Sequence, residues 1–307
     1  MFFTPDPDWT RRCDAAAEEI LDRFAPLGLT ADRFGLVALR ETGGLPQGYV
    51  RNGDWRCYPC SVVKVFHLVH ALHALETGRI AAHDDLDRAM HDMIAWSSNT
   101  ATNYIIDLVT GTTGDTLLEP EAFAFWRDRR EGLNRFFGAL GWPEWQGCNI
   151  TQKLMDDTRY GREAQYAGAD SSYLNVLTPL TAARMFHELF SGDVPLGPEA
   201  RARAQDFLLR DRQSDKARLP HFQVQEYLGG GVPEAATIWS KAGRNSWTGD
   251  PRASYYKHDL IRIALPGTAP VLLSLMTQGK ELCEDRPEAF PEIARILCGQ
   301  LLEPVPA

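Results

Sequence analysis

The first part of the chain changes from a helical to an extended pattern of apolar residues. Between residues 7 and 27, apolar positions recur at the 3.6-residue spacing of an amphipathic helix. A β-rich apolar run follows at 34–39, and a segment with glycine and proline separates it from a second extended run that begins at 49. The pattern therefore predicts a helix and then a hairpin that opens a sheet.

The rest of the chain has a helical pattern in the middle and an extended pattern near its end. A second helix is predicted from Ser61 to about Glu76, and helical or loop-like patterns continue from about 85 to 230. Three strands are then predicted at 235–240, 255–265 and 270–277. A last helix is predicted at 285–302.

Strands near both ends of the chain, with helices between them, indicate an α+β fold. We expect an antiparallel sheet flanked by the N- and C-terminal helices, with an all-α subdomain inserted between the strands. The expected boundaries are residues 1–55 plus 233–307 for the sheet subdomain and 56–232 for the helical subdomain. An active site is expected at the interface of the two.

Composition narrows the classes of function. The formal net charge is -9 over 307 residues, so the surface would repel nucleic acid and anionic lipid. The first residues have neither the basic nor the apolar region of a secretory leader, and we expect a cytoplasmic protein, or a periplasmic or secreted one if a leader was removed. The six cysteines are too sparse for a disulfide framework and are expected to be free thiols.

Lysine is scarce in this chain, which makes its positions informative. Lys64 follows Ser61 by three residues at a predicted helix start, so the two side chains share one face. The free N–H groups and positive dipole end of such a start favour an oxyanion, and a desolvated Lys64 could accept the Ser61 proton. A helix-capping serine beside a surface lysine is the alternative explanation.

Two further short motifs follow along the chain. Ser97-Ser98-Asn99 leads into a predicted helix, and Lys241-Ala242-Gly243 ends a predicted strand. Either one alone could be only a helix cap or an edge-strand lysine. In this order, and between strands at both chain ends, the three motifs resemble those of class A β-lactamase-like serine hydrolases, which belong to the serine-reactive penicillin-recognising superfamily. The resemblance extends from about residue 33 to the C-terminus.

The resemblance implies a role for each matching residue. Ser61 would be the acylated nucleophile, Lys64 its base partner, and Ser97 the relay that carries a proton to the leaving nitrogen. Lys241 would place positive charge beside Ser97. The backbone N–H groups of Ser61 and Arg244 would form the oxyanion hole, and the substrate-binding residues would be Asn99, Ala242, Gly243 and Arg244. The implied partner is a small amide or ester substrate, with no metal or organic cofactor.

Three departures from the family pattern bear on the predicted activity. Ser98 stands where class A enzymes have Asp, and Ala242 lacks the hydroxyl that binds a substrate carboxylate. A segment similar to the family's helix opening is present at Asn175-x-x-Thr178-Pro179, but no Glu-x-x-Leu-Asn precedes it to activate the deacylating water. The carboxylates of this loop are Asp156, Asp157, Glu163 and Asp170, of which Glu163 is the candidate replacement base.

Three functions therefore stay open. The first is a β-lactamase-like amide hydrolase that acts through a Ser61 acyl-enzyme and is weak on β-lactams. The second is a cytosolic amidase, esterase or peptidase with a different substrate. The third is a slowly deacylating penicillin-binding or sensor protein. The natural substrate and the oligomeric state are not indicated by the sequence.

Two other patterns are better explained without a function of their own. Cys57-x-x-Cys60 is similar to a thiol redox motif at a helix start, but no βαβ pattern surrounds it. His67, His70 and His73 recur every three residues, but at about 100° per residue the first and last point about 120° apart, so three ligands could hardly converge on one metal ion.

Overall fold

A computed structural model describes residues 2–155 and 158–302 of the chain. Its strands are β1 (Phe34–Arg40), β2 (Gln47–Arg51), β3 (Thr237–Arg244), β4 (Tyr256–Ala264) and β5 (Val271–Gln278). They form one five-stranded antiparallel sheet in the order β2-β1-β5-β4-β3. Because β1 pairs with β5, the two ends of the chain complete a single sheet, and the predicted α+β antiparallel fold is confirmed.

The helices of the described ranges lie before, between and after these strands. Their bounds are α1 (Pro7–Phe24), α2 (Lys64–Glu76), α3 (Asp84–Ala95), α4 (Asn99–Thr110), α5 (Pro120–Gly138), α6 (Gly161–Ala167), α7 (Pro179–Ser191), α8 (Pro198–Leu208) and α9 (Ala289–Leu301). Helices α2 to α8 thus fall between β2 and β3, in the region predicted to be helical. The division into two subdomains at the expected boundaries stays a prediction.

Each face of the sheet covers a separate hydrophobic core, because successive strand residues point to opposite faces. Leu36 and Ala38 pack with α1 and α9, whereas Val37 and Leu39 pack with the helices of the middle region. The Trp9 indole N–H donates to the Ala38 carbonyl oxygen at 3.1 Å and attaches α1 to β1. The sheet is therefore the middle one of three layers.

Several predicted boundaries differ from the observed ones for local reasons. Ser61 lies in a 3-10 turn over Cys60–Val63, and α2 begins at Lys64. The strand predicted at 235–240 continues to Arg244, so the Lys-Ala-Gly motif lies within β3. The last helix begins at 289 rather than 285, because Glu281–Asp285 forms a π-helical turn first.

The described helices give no sign of a membrane span: none combines sufficient length with sufficient apolar character to cross a bilayer.

Candidate active site

Ser61 lies where the turn before α2 touches strand β3. A Cβ atom placed on Gly243 would lie 2.4 Å from the Ser61 nitrogen and 3.1 Å from its Cα, so only glycine allows this approach. Cys60, just before the serine, has a φ of 46°, which a non-glycine residue adopts only when its surroundings impose it. Packing against β3 therefore holds the Ser61 backbone in place.

Lys64 connects the start of α2 with the start of α4. Its side chain is fully buried, and Nζ donates to the Ser97 carbonyl oxygen, to Ser97 Oγ at 3.2 Å and to Asn99 Oδ1 at 2.9 Å. Ser97 itself has a φ of 56°, a second left-handed non-glycine residue at this site. The Ser-x-x-Lys and Ser-x-Asn motifs therefore meet through the lysine ammonium group.

Lys241 reaches the same hydroxyl from the sheet. It is fully buried, and Nζ donates to Ser97 Oγ at 3.0 Å and to the Ala242 carbonyl oxygen at 2.6 Å. Burial lowers the pKa of Lys241 well below its usual range, and the positive charges of Lys64 and Arg210 lower it further. Because an ammonium group can only donate, Ser97 Oγ accepts from both lysines and keeps its own proton available for another acceptor.

Two site residues were not indicated by any sequence motif. Gln223 accepts a hydrogen bond from Lys241 Nζ through Oε1, and its backbone is left-handed with a φ of 58°. Arg210 is buried and donates to the Ser240 carbonyl oxygen at 2.8 Å and to the Ile94 carbonyl oxygen at 3.1 Å, which ties β3 to the end of α3. Both lie in or beside the irregular segment before β3, where no periodic pattern distinguishes them.

The departures from the family pattern have structural explanations in part. Ser98 is the N-cap of α4, and its Oγ accepts from the Ala101 backbone N–H at 3.1 Å, which satisfies a free donor of the helix. Ala242 is fully buried and packs in the core between the sheet and α9, so a substrate could contact it only through its backbone. Arg244 has a partly exposed side chain 3.6 Å from Glu226 Oε2.

Glu163, the candidate deacylation base, is held in a buried ion pair. It lies on α6, and its two carboxylate oxygens accept from Arg130 Nη2 at 2.8 Å and Nη1 at 3.1 Å. Lys153 lies 4.0 Å away and also pairs with Asp107 at 2.7 Å. The part of Glu163 in deacylation stays a prediction. Its contacts with Arg130 give it a structural role.

One face of α4 joins this charged cluster to the active site. Asn99 contacts Lys64, Asn103 exchanges hydrogen bonds with the Leu154 backbone at 2.8 and 3.0 Å, and Asp107 pairs with Lys153. These residues follow each other at four-residue spacing, which places them on one side of the helix. Burial raises the pKa of Asp107, and the positive charges of Lys153 and Arg130 partly offset this rise in its pKa.

The loop that carries Glu163 is closed at its base. Asn149 and Val176 pair through their backbones, and Asn175 bonds the backbone of Gln152 through both ends of its amide at 2.9 Å. Thr178 then caps α7 by accepting from the Thr181 backbone N–H. Of the other loop carboxylates, Asp170 is exposed, and Asp156 and Asp157 lie outside the described residues.

Cys57 and Cys60, which precede α2, and His67 and His70, which lie within it, are buried. Burial raises the pKa of the Cys57 and Cys60 thiols, which disfavours the reactive thiolate of a redox motif. Burial lowers the pKa of His67 and His70 to about 3, so both imidazoles are neutral. Within the described ranges, no group of three potential ligands is placed to hold a metal ion.

Replacing Gly243 by alanine should slow acylation of Ser61 by about 10²-fold, because the new methyl group displaces the serine backbone and a shift of about 1 Å in a reacting group has that effect. Gly44→Ala is the matched control, since nothing lies within 4 Å of a Cβ atom there. Burst kinetics with an acylating substrate measure the rate. Equal rates in the two variants would show that Gly243 does not position Ser61.

Replacing Glu163 by glutamine should destabilise the protein by about 3 kcal/mol, because Arg130 would keep a buried charge without its main partner. Urea unfolding of wild type, Glu163→Gln and Glu19→Gln measures the effect, and the exposed Glu19–Arg23 pair serves as control. Unchanged stability together with a longer-lived acyl-enzyme would instead identify Glu163 as the deacylation base.

A known family model matches more than half of the chain. Residues 85–301 match the model of a family described as the beta-lactamase enzyme family. That span includes the motifs that begin at Ser97 and Lys241, and it starts after the Ser61-x-x-Lys64 motif. No curated protein sequence matches the chain.

Solved structures resemble this one along nearly the whole chain. A beta-lactamase from Sphaerobacter thermophilus DSM 20745 has a TM-score of 0.66 at 20% identity and covers 94% of this chain and 98% of its own. A beta lactamase from Xanthomonas campestris pv. campestris str. ATCC 33913 has a TM-score of 0.61 at 18% identity, with 93% and 98% covered. The last common ancestor of Gram-negative bacteria class A beta-lactamase (GNCA4) has a TM-score of 0.59 at 20% identity, with 93% and 98% covered. The likeness to these structures is one of fold.

Proposed function

Because the chain belongs to the beta-lactamase enzyme family and is a β-lactamase-like serine hydrolase, we propose that it cleaves an amide bond through an acyl-enzyme on Ser61. In its neutral form, Lys64 accepts the Ser61 hydroxyl proton and becomes an ammonium group while the serine oxygen attacks the carbonyl carbon. The carbon–nitrogen bond then breaks, and the leaving nitrogen takes a proton from Ser97. Water hydrolyses the resulting ester and restores Ser61.

The observation that carries this proposal is the convergence of two buried lysine side chains on Ser97 Oγ, whose Nζ atoms lie 3.2 Å (Lys64) and 3.0 Å (Lys241) from it. The hydroxyl accepts from both, so its own proton can go to a leaving nitrogen, and Lys64 can return a proton to it. Burial of both lysines strengthens their interactions with charge that develops during the reaction.

Deacylation distinguishes the candidate activities. Both carboxylate oxygens of Glu163 accept from Arg130, and none of its hydrogen bonds in the described residues reaches Ser61 or Lys64. This observation favours slow hydrolysis of a β-lactam-derived ester. It also favours a second candidate function, in which the physiological substrate is another amide or ester whose acyl group leaves Ser61 without a dedicated carboxylate base.

Intact-mass spectrometry over a time course with benzylpenicillin tests the proposal. We expect an adduct of one intact penicillin on the wild-type protein, with a lifetime of minutes or longer. An adduct that disappears within seconds would indicate a working β-lactamase and a deacylation base other than Glu163. Failure to form any adduct, with penicillin and with activated amide and ester substrates alike, would contradict the serine hydrolase mechanism.

A further inference from the structure

A cavity at the far end of α4 concentrates positive charge. It has a volume of about 410 Å³ and lies between the ends of α2 and α4 and one face of α5. Arg79, Arg129 and Arg135 line it, and the one carboxylate among its described lining residues is Asp128. Three guanidinium groups against one carboxylate leave an excess of two positive charges, in a chain whose net charge is -9.

Arg129 is the arginine most available to a ligand. Its guanidinium is exposed and forms no hydrogen bond or ion pair with any other residue in the described part of the chain. It lies against Gly111, which ends α4 with a φ of 61°, and a Cβ atom there would be 1.7 Å from Arg129 Nη2. On the α5 face of the cavity, Gly132 has no side chain to fill the space.

The other two arginines already have protein partners and are thereby oriented. Arg135 Nη1 donates to Asp128 Oδ1 at 2.9 Å, and Arg79 Nη2 donates to the Val109 carbonyl oxygen at 3.4 Å. Each guanidinium has five N–H donors, so both retain donors for a ligand.

His70 also lines the cavity, beside Arg79. Its side chain is 1% exposed, and Nε2 lies 3.3 Å from Arg79 Nη1. Because arginine can only donate, Nε2 accepts, and the neutral ring carries its proton on Nδ1. Nδ1 is buried and has no hydrogen-bond partner among the described residues. The contact through Nε2 therefore helps to orient the Arg79 guanidinium beside the cavity.

We propose that this cavity binds a phosphate group, either as inorganic phosphate or as the head group of a small phosphomonoester. A dianion balances the excess of two charges, and guanidinium groups match phosphate oxygens in geometry. The volume also leaves room for an organic remainder. The 12-residue helix α4 separates the cavity from Asn99 by about 16 Å, so the cavity is distinct from the candidate active site.

Calorimetric titration with inorganic phosphate at pH 7.5, with ionic strength held constant by sodium chloride, tests the proposal. We expect one saturable site in the full-length protein. Arg129→Gln should weaken binding at least tenfold. Replacing Arg203, a partly exposed arginine that pairs with Asp87 on another surface, by glutamine should leave binding unchanged. Arg135→Gln provides a second variant, and the thermal unfolding midpoint of each variant shows that it is folded.

The same titration with phenyl phosphate distinguishes the two sources of the group. Tighter binding than inorganic phosphate identifies a phosphomonoester, and equal or weaker binding identifies free phosphate. No saturable binding of either compound, or equal affinity in wild type and Arg129→Gln, would overturn the proposal. Because binding is measured rather than acylation, its failure is separate from failure of the proposed hydrolase mechanism.

Discussion

Replacing Ser61 by alanine should abolish covalent labelling by penicillin completely. The acyl bond forms to the serine oxygen, and alanine has no atom that can replace it. The backbone at this position is held by Gly243 and by the turn before α2, neither of which involves the hydroxyl. The variant should therefore fold normally and bind substrate without reacting.

Intact-mass spectrometry after long incubation with benzylpenicillin measures this effect. Ser214→Ala is the control, since Ser214 lies in the irregular segment after α8 and its hydroxyl bonds only the Asp211 backbone among the described residues. Its labelling should equal that of the wild type. Labelling of Ser61→Ala at the wild-type rate would show that another side chain is the nucleophile.

Replacing Lys64 by methionine should slow acylation by about 10²–10⁴-fold, the range typical for loss of a general base. Methionine fills a similar volume, so the effect of a cavity is small. The substitution removes the group that accepts the Ser61 proton. It also removes the ammonium group that holds Ser97 and Asn99 together, so the proton relay loses its alignment.

Stopped-flow acylation with a chromogenic substrate measures the Lys64→Met rate, and urea unfolding of the same sample separates the kinetic effect from loss of stability. Lys280→Met is the control for removal of a lysine charge, because Lys280 lines a different cavity of the molecule. An acylation rate for Lys64→Met within threefold of wild type would exclude Lys64 as the base.

The cluster around Glu163 shows why the loop chemistry could not be read along the chain. The sequence shows Glu163 only as one of several carboxylates in this loop. Its ion pair partner, Arg130, is 33 positions away along the chain. Arg130 lies on α5, and nothing in the local pattern distinguishes it from the other arginines of that helix. Whether a carboxylate activates water or neutralises a buried cation depends on what packs against it.

The environments of Gln223 and Ala242 also could not be predicted from the local sequence. The contact between Gln223 and Lys241 depends on a left-handed residue in an irregular segment, for which the sequence has no period to detect. Ala242 is in the expected motif, but its burial follows from the face of β3 that packs on α9. A motif identifies which residues belong together and leaves open which of their atoms face a substrate.

Local patterns were enough to predict the strands, the first, second and last helices, a helical region between them, and the α+β class of this protein, because helical and strand periods repeat within a few residues. The helix opening at Thr178-Pro179 is of the same kind, since a cap forms between residues three apart. The three motifs also marked Ser61, Lys64 and Lys241 by their spacing and resemblance. Tertiary structure alone decided the pairing of β1 with β5, the meeting of both lysines at Ser97, and the burial of Glu163. Lys241 and Ser97 are 144 residues apart, and contacts over such separations form only when whole elements pack, which no local pattern encodes.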